Sequence, residues 1–283
     1  MIRLKIAKKM KISTKFIYFF NRLLNKFFKL NILDTNSSID LLLDTNVSLA
    51  RYGDGELNIM MGGDIHFQKY HPELAYRLKK LIKNNKNKQL EIGIPLAINT
   101  VEGYKAIVKE FWEMNMNTGR MHWFMMCGFK RSFLNASLTR CYIDYEDKSN
   151  SIIWFEKLMK LWQGKKLLII EGEVTKLGVE NSLFSDAFEI KRIITPATNV
   201  WDKYDVIINE TLNVAVNFDL ILASLGPTAT VLAEDVSKQG FRILDIGHLN
   251  LEYNKYLLEN KIIESKKCIS IENYHSQVIK YIN

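Results

Sequence analysis

Residues 218–247, "FDLILASLGPTATVLAEDVSKQGFRILDIG", decide how the chain is read. An apolar run rich in Leu and Ile ends at Leu225. Gly226 and Pro227 then set a turn, a helical pattern runs from Thr228 to Gln239, and a second apolar run follows Gly240. Strand, glycine turn, helix and strand, with both runs apolar throughout instead of alternating, describe a βαβ unit in a parallel sheet covered on both faces. Working outward, the same grammar recurs. Further candidate strands are "VSLARY" (47–52), "QLEIGIP" (89–95), "MHWFMMC" (121–127), "KKLLIIEG" (165–172) and "IKRIITP" (190–196), and a helical pattern spans Glu73 to Lys83. The fold class is therefore α/β, a Rossmann-like, largely parallel sheet with helices on both faces.

Bulk composition sets the limits. Of 283 residues, 47% are hydrophobic and 25% charged, which suits a globular protein and excludes a disordered one. Three cysteines without a CxxC pair exclude a disulfide scaffold and a zinc cluster, and fit a reducing cytosol. No apolar run reaches the roughly 20 residues of a membrane span, and the basic start has neither the apolar stretch nor the small-residue cleavage site of a signal peptide. The net charge of +8 is local: residues 1–31 hold nine of the 39 basic residues and none of the 31 acidic ones. In this arm Phe16, Ile17, Phe20, Leu23, Leu24, Phe27 and Phe28 recur at helical spacing opposite Lys15, Arg22, Lys26 and Lys29. An amphipathic basic helix of this kind either lies on an anionic membrane surface or packs on the body. We divide the chain into this arm (1–33) and one domain (34–283). A nucleic-acid partner is not expected, because no RNA-binding sheet motif or zinc finger follows the arm.

Ligands of doubly wound sheets bind beyond the carboxyl ends of the strands, so polar residues there are the candidates. After the first long strand comes "RYGDGE". Asp54 and Glu56 lie two apart, and in an extended or turning segment both reach one side and share a hard cation such as Mn²⁺ or Mg²⁺. Gly53 and Gly55 admit a ligand close to the backbone, and Arg51 offers a bidentate fork to phosphate. The same residues also suit a surface turn. Glu171 and Glu173 follow "KKLLIIEG", where a capped helix start is the alternative. Gly226 and Thr228 open the helix of the βαβ unit, with Thr228 as N-cap and the helix start facing an anion. Asn199 follows "IKRIITP" and suits sugar or base contacts. The last strand leaves Asp245, His248 and Glu252, candidates for a general base, with Glu252 preferred and His248 one helical turn before it. The absence of G-x-G-x-x-G and of a Walker A lysine argues against a dinucleotide oxidoreductase and a P-loop NTPase.

The ordered set "RYGDGEL…GGDIHFQ", "EGE…GVENSLF", "RIITPATNVWDKYD", "LGPTATVLAEDV" and "LDIGHLNLEY", spanning about residues 44 to 258, resembles the bacterial GT-D-type glycosyltransferases. The resemblance implies a nucleotide-sugar-binding fold and a D-x-E motif, here Asp54 and Glu56, that holds a divalent metal on the donor diphosphate. It makes UDP-glucose the leading donor among nucleotide sugars. The resemblance implies extension of glycans on surface glycoproteins or polysaccharides, and an acceptor glycan carried on protein or lipid at the cytoplasmic membrane face would make sense of the basic arm. A non-catalytic nucleotide-sugar-binding or membrane-docking partner of another transferase is the alternative, and a homo-oligomer stays open.

Overall fold

The structure, a computed structural model, describes residues 29–128, 130–262 and 268–283. Its elements are β1 (Asn31–Ile32), α1 (Thr35–Asp44), β2 (Ser48–Arg51), α2 (Asp54–Met60), α3 (Pro72–Asn84), β3 (Leu90–Ile94), α4 (Ala106–Cys127) and β4 (Ser132–Asn135) in the first half. The second half adds α5 (Ser151–Lys160), β5 (Lys166–Gly172), β6 (Glu189–Thr195), α6 (Tyr204–Ala215), β7 (Leu220–Ser224), α7 (Pro227–Lys238), β8 (Ile243–Asp245), α8 (Leu249–Glu259), α9 (Ile271–Gln277) and β9 (Val278–Tyr281). The strands form one nine-stranded sheet in the order β1-β4-β3-β2-β8-β7-β5-β6-β9. Every pairing is parallel.

The continuous apolar runs behave as their composition requires. Leu167 to Ile170 and Leu220 to Ala223 are buried, because helices cover both sheet faces. One core layer takes side chains from α2, α3, α4, α6 and α7, and the other from α1, α5, α8 and α9. Strands β1 to β4 stand on one side of the β2–β8 seam and β5 to β9 on the other. The chain leaves β2 towards α2 on one face and leaves β8 towards α8 on the opposite face. Connections that diverge in this way mark the strand ends at which doubly wound sheets bind ligands.

One predicted strand is wrong. "MHWFMMC" (121–127) is the last two turns of α4. Trp123, Phe124 and Cys127 are buried while Met121 and Met125 are exposed, a period near 3.6 that a seven-residue apolar window does not separate from a buried strand. The strand of this region is the shorter β4, and the edge strands β1 and β9 also escaped the reading. Of the predicted arm, residues 1–28 lie outside the described residues, and Asn31–Ile32 pair with β4 as β1. Among the described residues no helix is long and apolar enough to cross a membrane.

Candidate functional site

The site is built at the seam. Chain leaving β2 passes Gly53, the N-cap of α2, so Asp54 and Glu56 fall in the first helical turn and not in extended chain. In a helix residues two apart diverge, which corrects the expectation that both side chains point to one side. Asp54 is exposed, whereas Glu56 is half-buried and folds back so that Oε2 accepts the Gly53 N–H at 2.7 Å. One carboxylate oxygen of Glu56 is thereby committed to the cap. Burial, then the negative charge of Asp245, with a smaller contribution from Asp54, pushes Glu56 up to about 7. Neither glycine is demanded by the protein itself. Gly53 has ordinary extended backbone, and a Cβ at Gly53 or Gly55 would meet its nearest neighbour at 3.4 or 3.6 Å.

Arg51 is not available to a phosphate in this arrangement. Its Nε donates to the Asp245 carbonyl (2.8 Å), Nη1 to the Ala136 carbonyl (3.0 Å) and Thr139 Oγ1 (2.7 Å), and Nη2 to Asp245 Oδ1 (3.0 Å). The guanidinium therefore pins together the tips of β2 and β8 and the 136–139 turn after β4. Asp245 is likewise no free base. It is buried, and its Oδ1 also accepts the Gly247 N–H at 3.1 Å. Burial raises its pKa, and the Arg51 charge opposes the rise.

Glu252, the preferred base, is fully buried, and its Oε2 accepts the backbone N–H groups of Tyr142 (3.0 Å) and Ile143 (2.7 Å). It clamps the 140–144 segment and does not face the opening, although Oε1 has no hydrogen-bond partner among the described residues. Burial raises its pKa. His248 precedes α8 with its ring partly in solvent. Desolvation, then the positive charges of Arg140 and Arg51, lowers its pKa, so the imidazole is neutral near pH 7.

The other candidates divide. Glu171 lies inside the second half, wholly buried against Arg192 (Nη1–Oε1 2.5 Å) and accepting the Leu177 N–H at 2.6 Å, so it is a structural carboxylate and not a donor ligand. Glu173 is exposed beyond the end of β5, three strand spacings or roughly 14 Å from β2. Asn199, at φ +50°, gives its N–H to the Phe67 carbonyl (2.8 Å) and accepts the Lys69 N–H on Oδ1 (2.9 Å). Its side chain clips the 62–71 loop, which corrects the expected sugar or base contact. That loop crosses the sheet top to Gly226, which sits at φ +56° with the Phe67 ring where a Cβ would be, 2.4 Å away. Gly226 is the N-cap of α7 and Pro227 its first residue, so the capping role expected of Thr228 is not filled by Thr228. Thr228 is buried with Oγ1 unpartnered among the described residues.

The sequence reading missed the segment after β4. Arg140 chelates Asp144 through Nε–Oδ2 (2.8 Å) and Nη2–Oδ1 (2.9 Å), and both Asp54 and Glu252 act on its charge. The lost signal was the short run "SFLN" (132–135), masked by the misread apolar window before it. Among the described residues no three His, Cys, Asp or Glu side chains converge as a ready metal cage. Two neighbouring carboxylates with free oxygens still fit Mn²⁺ or Mg²⁺, which take one or two protein carboxylates and complete their shell with phosphate and water.

Comparison with known proteins agrees with the fold. The family described as "Glycosyltransferase GT-D fold" matches residues 49–275. A probable glycosyl transferase, Gly, of Streptococcus gordonii is 36% identical over 252 residues, covering 88% of this chain and 37% of its own length. Glycosyltransferase GlyD of Streptococcus pneumoniae serotype 4 is 31% identical over 261 residues, 87% of this chain and 32% of its own length. The chain thus spans about a third of the length of these curated relatives. A solved structure described as a new glycosyltransferase (DUF1792) from Streptococcus sanguinis superposes with TM-score 0.82 at 33% identity, covering 90% of this chain and 100% of that one. Another, of the domain of unknown function 1792 with a distinct glycosyltransferase fold, gives TM-score 0.83 at 30% identity over 96% of this chain and 99% of that one.

Proposed function

Because this chain belongs to the family of glycosyltransferases with the GT-D fold, we propose that it moves a hexose, with glucose the leading choice, from a UDP-sugar to a glycan acceptor on protein or lipid, and that Mn²⁺ or Mg²⁺ assists. One observation carries the reading. Asp54 and Glu56 open a helix at the seam of the sheet, beside a third carboxylate, Asp245, and burial, then the negative charge of Asp245 with a smaller contribution from Asp54, raises Glu56 to about 7. Such a cluster favours a bound cation, which relieves the repulsion. Glycines on either side of Asp54, required by neither backbone angle nor packing, leave room for the diphosphate.

When bound, the cation supplies charge neutralisation for the departing diphosphate. Asp54 would hold it together with the uncapped oxygen of Glu56, whose side chain reaches the helix start because it folds back onto the Gly53 N–H. The acceptor hydroxyl adds to the anomeric carbon, the C–O bond to the diphosphate breaks, and UDP leaves with the bonding electrons. Of the three base candidates, His248 is the one whose ring reaches solvent and is neutral near pH 7, so it takes the hydroxyl proton. Arg51 and Asp245 keep the strand tips in register beneath these groups.

The test is UDP release from UDP-glucose and other UDP-sugars, with acceptor glycans, in the presence and absence of Mn²⁺. The Asp54→Asn, Glu56→Gln double variant is expected to keep its thermal unfolding temperature and lose metal-dependent turnover. Full turnover in that variant rejects the metal assignment.

A further inference from the structure

We propose that Arg140, held by Asp144, is the arginine that contacts the donor's diphosphate, a proposal that rests on the UDP-sugar reading above. A diphosphate brings at least two negative charges to strand ends where the charges of Asp54 and Asp245 act on Glu56, and those of Asp54 and Asp144 act on His248. A divalent cation offsets part of this. The arginine that the sequence pattern offers for the rest, Arg51, has four hydrogen bonds to the protein and is committed to the strand tips.

Arg140 differs in each respect. Its side chain is 40% exposed while its partner Asp144 is 12% exposed, so the guanidinium has one edge on the carboxylate and part of its surface in solvent, and its charge acts on His248. The fork to Asp144 uses Nε and one Nη2 hydrogen, and the other three of the five N–H donors have no partner among the described residues. A guanidinium with a free edge matches a pair of phosphate oxygens.

Its backbone is also fixed from both sides. Thr139 receives Arg51 Nη1, the Arg140 N–H donates to the Ser137 carbonyl at 2.8 Å, and the Tyr142 and Ile143 N–H groups are held by Glu252. This assigns a purpose to the buried Glu252, which positions the segment. The same segment lies at the carboxyl end of β4, on the sheet edge where β2 presents Asp54 and β8 presents His248. An arginine fixed in advance loses little side-chain entropy on binding, the condition under which a charge-assisted contact is strongest.

Isothermal titration of the protein with UDP and with uridine, both with Mn²⁺, reads the contact directly. Arg140→Ala is expected to weaken UDP roughly ten- to hundred-fold, the scale of a charged hydrogen bond, and to leave uridine unchanged. Arg140→Lys keeps the charge without the fork and should fall between. Asp144→Asn should raise the donor KM more than it lowers kcat, since it loosens the guanidinium without removing it. Equal UDP affinity in Arg140→Ala and the parent chain overturns the proposal, as does an equal loss for UDP and uridine, which is the mark of general disruption. Should Arg140→Ala fail to fold, the lysine variant decides alone, and UDP affinity equal to the parent's overturns the proposal. If the parent chain binds no UDP with Mn²⁺, the UDP-sugar reading falls first and this proposal falls with it.

Discussion

Replacing Arg192 by methionine removes one half of an ion pair that has no access to water. Glu171 and Arg192 stand on adjacent strands, β5 and β6, with both side chains fully buried. Arg192 also donates from Nη2 to the Leu177 carbonyl (2.9 Å) and from Nε to Gln277 Oε1 (2.8 Å), and its guanidinium lies 4.8 Å from the centre of the Tyr274 ring. The variant leaves the Glu171 carboxylate with a single N–H, that of Leu177, and strips two further acceptors of their donor. Breaking a buried pair from one side costs about 3–5 kcal/mol, a large part of the roughly 5–15 kcal/mol that holds a domain folded. At the entropy of unfolding of a chain this size, the melting temperature falls by roughly 5–8 °C. Burial raises the Glu171 pKa even with Arg192 present. A carboxyl raised in the folded state holds its proton more tightly there than in the unfolded chain, so its penalty is absent below the unfolded pKa and grows as pH rises. The cost of Arg192→Met should therefore be smaller at pH 5 than at pH 7.5. Urea denaturation followed by tryptophan fluorescence at the two pH values measures it. The double variant Glu171→Met, Arg192→Met should recover most of the loss and keep UDP-sugar turnover. A single variant within about 1 kcal/mol of the parent chain, or a double variant less stable than the single, refutes the assignment of Glu171 to structure.

Two further outcomes follow from the site. Because Glu56 is pushed up to about 7, a proton must leave before the carboxylate binds a cation. Mn²⁺ affinity should thus fall by up to about tenfold per pH unit below pH 7 and be accompanied by proton release, measured by calorimetry in buffers of different ionisation heat; flat affinity from pH 5.5 to 8 contradicts it. His248→Ala should lower kcat by roughly 10²- to 10⁴-fold with little change in UDP affinity, and an unchanged kcat removes the imidazole from the reaction.

Much of the architecture was legible. Runs such as "LLII" and "LILA" are apolar on every residue, the pattern of a strand covered on both faces, and a glycine follows each within three residues. Where a run was short, as in β4, or lay at a sheet edge, as in β1 and β9, the local signal failed. The helix end at 121–127 was misread because two turns of a half-buried helix hold as many apolar residues as a strand. The candidate region was legible too, since polar residues after strands mark the ligand edge of such a sheet. Their individual duties were not.

By itself the sequence determined the α/β class, the parallel character of the sheet and the strand-end edge at which Asp54, Glu56, Asp245 and His248 lie, because burial on two faces and glycine turns are written in contiguous residues. Only the tertiary structure decided that Arg51, Glu171, Asn199 and Glu252 are already occupied while Arg140 keeps donors free. Those roles depend on partners far off in the chain, Arg51 with Asp245 at 194 positions and Glu252 with Tyr142 at 110, and no spacing within a motif encodes such a meeting.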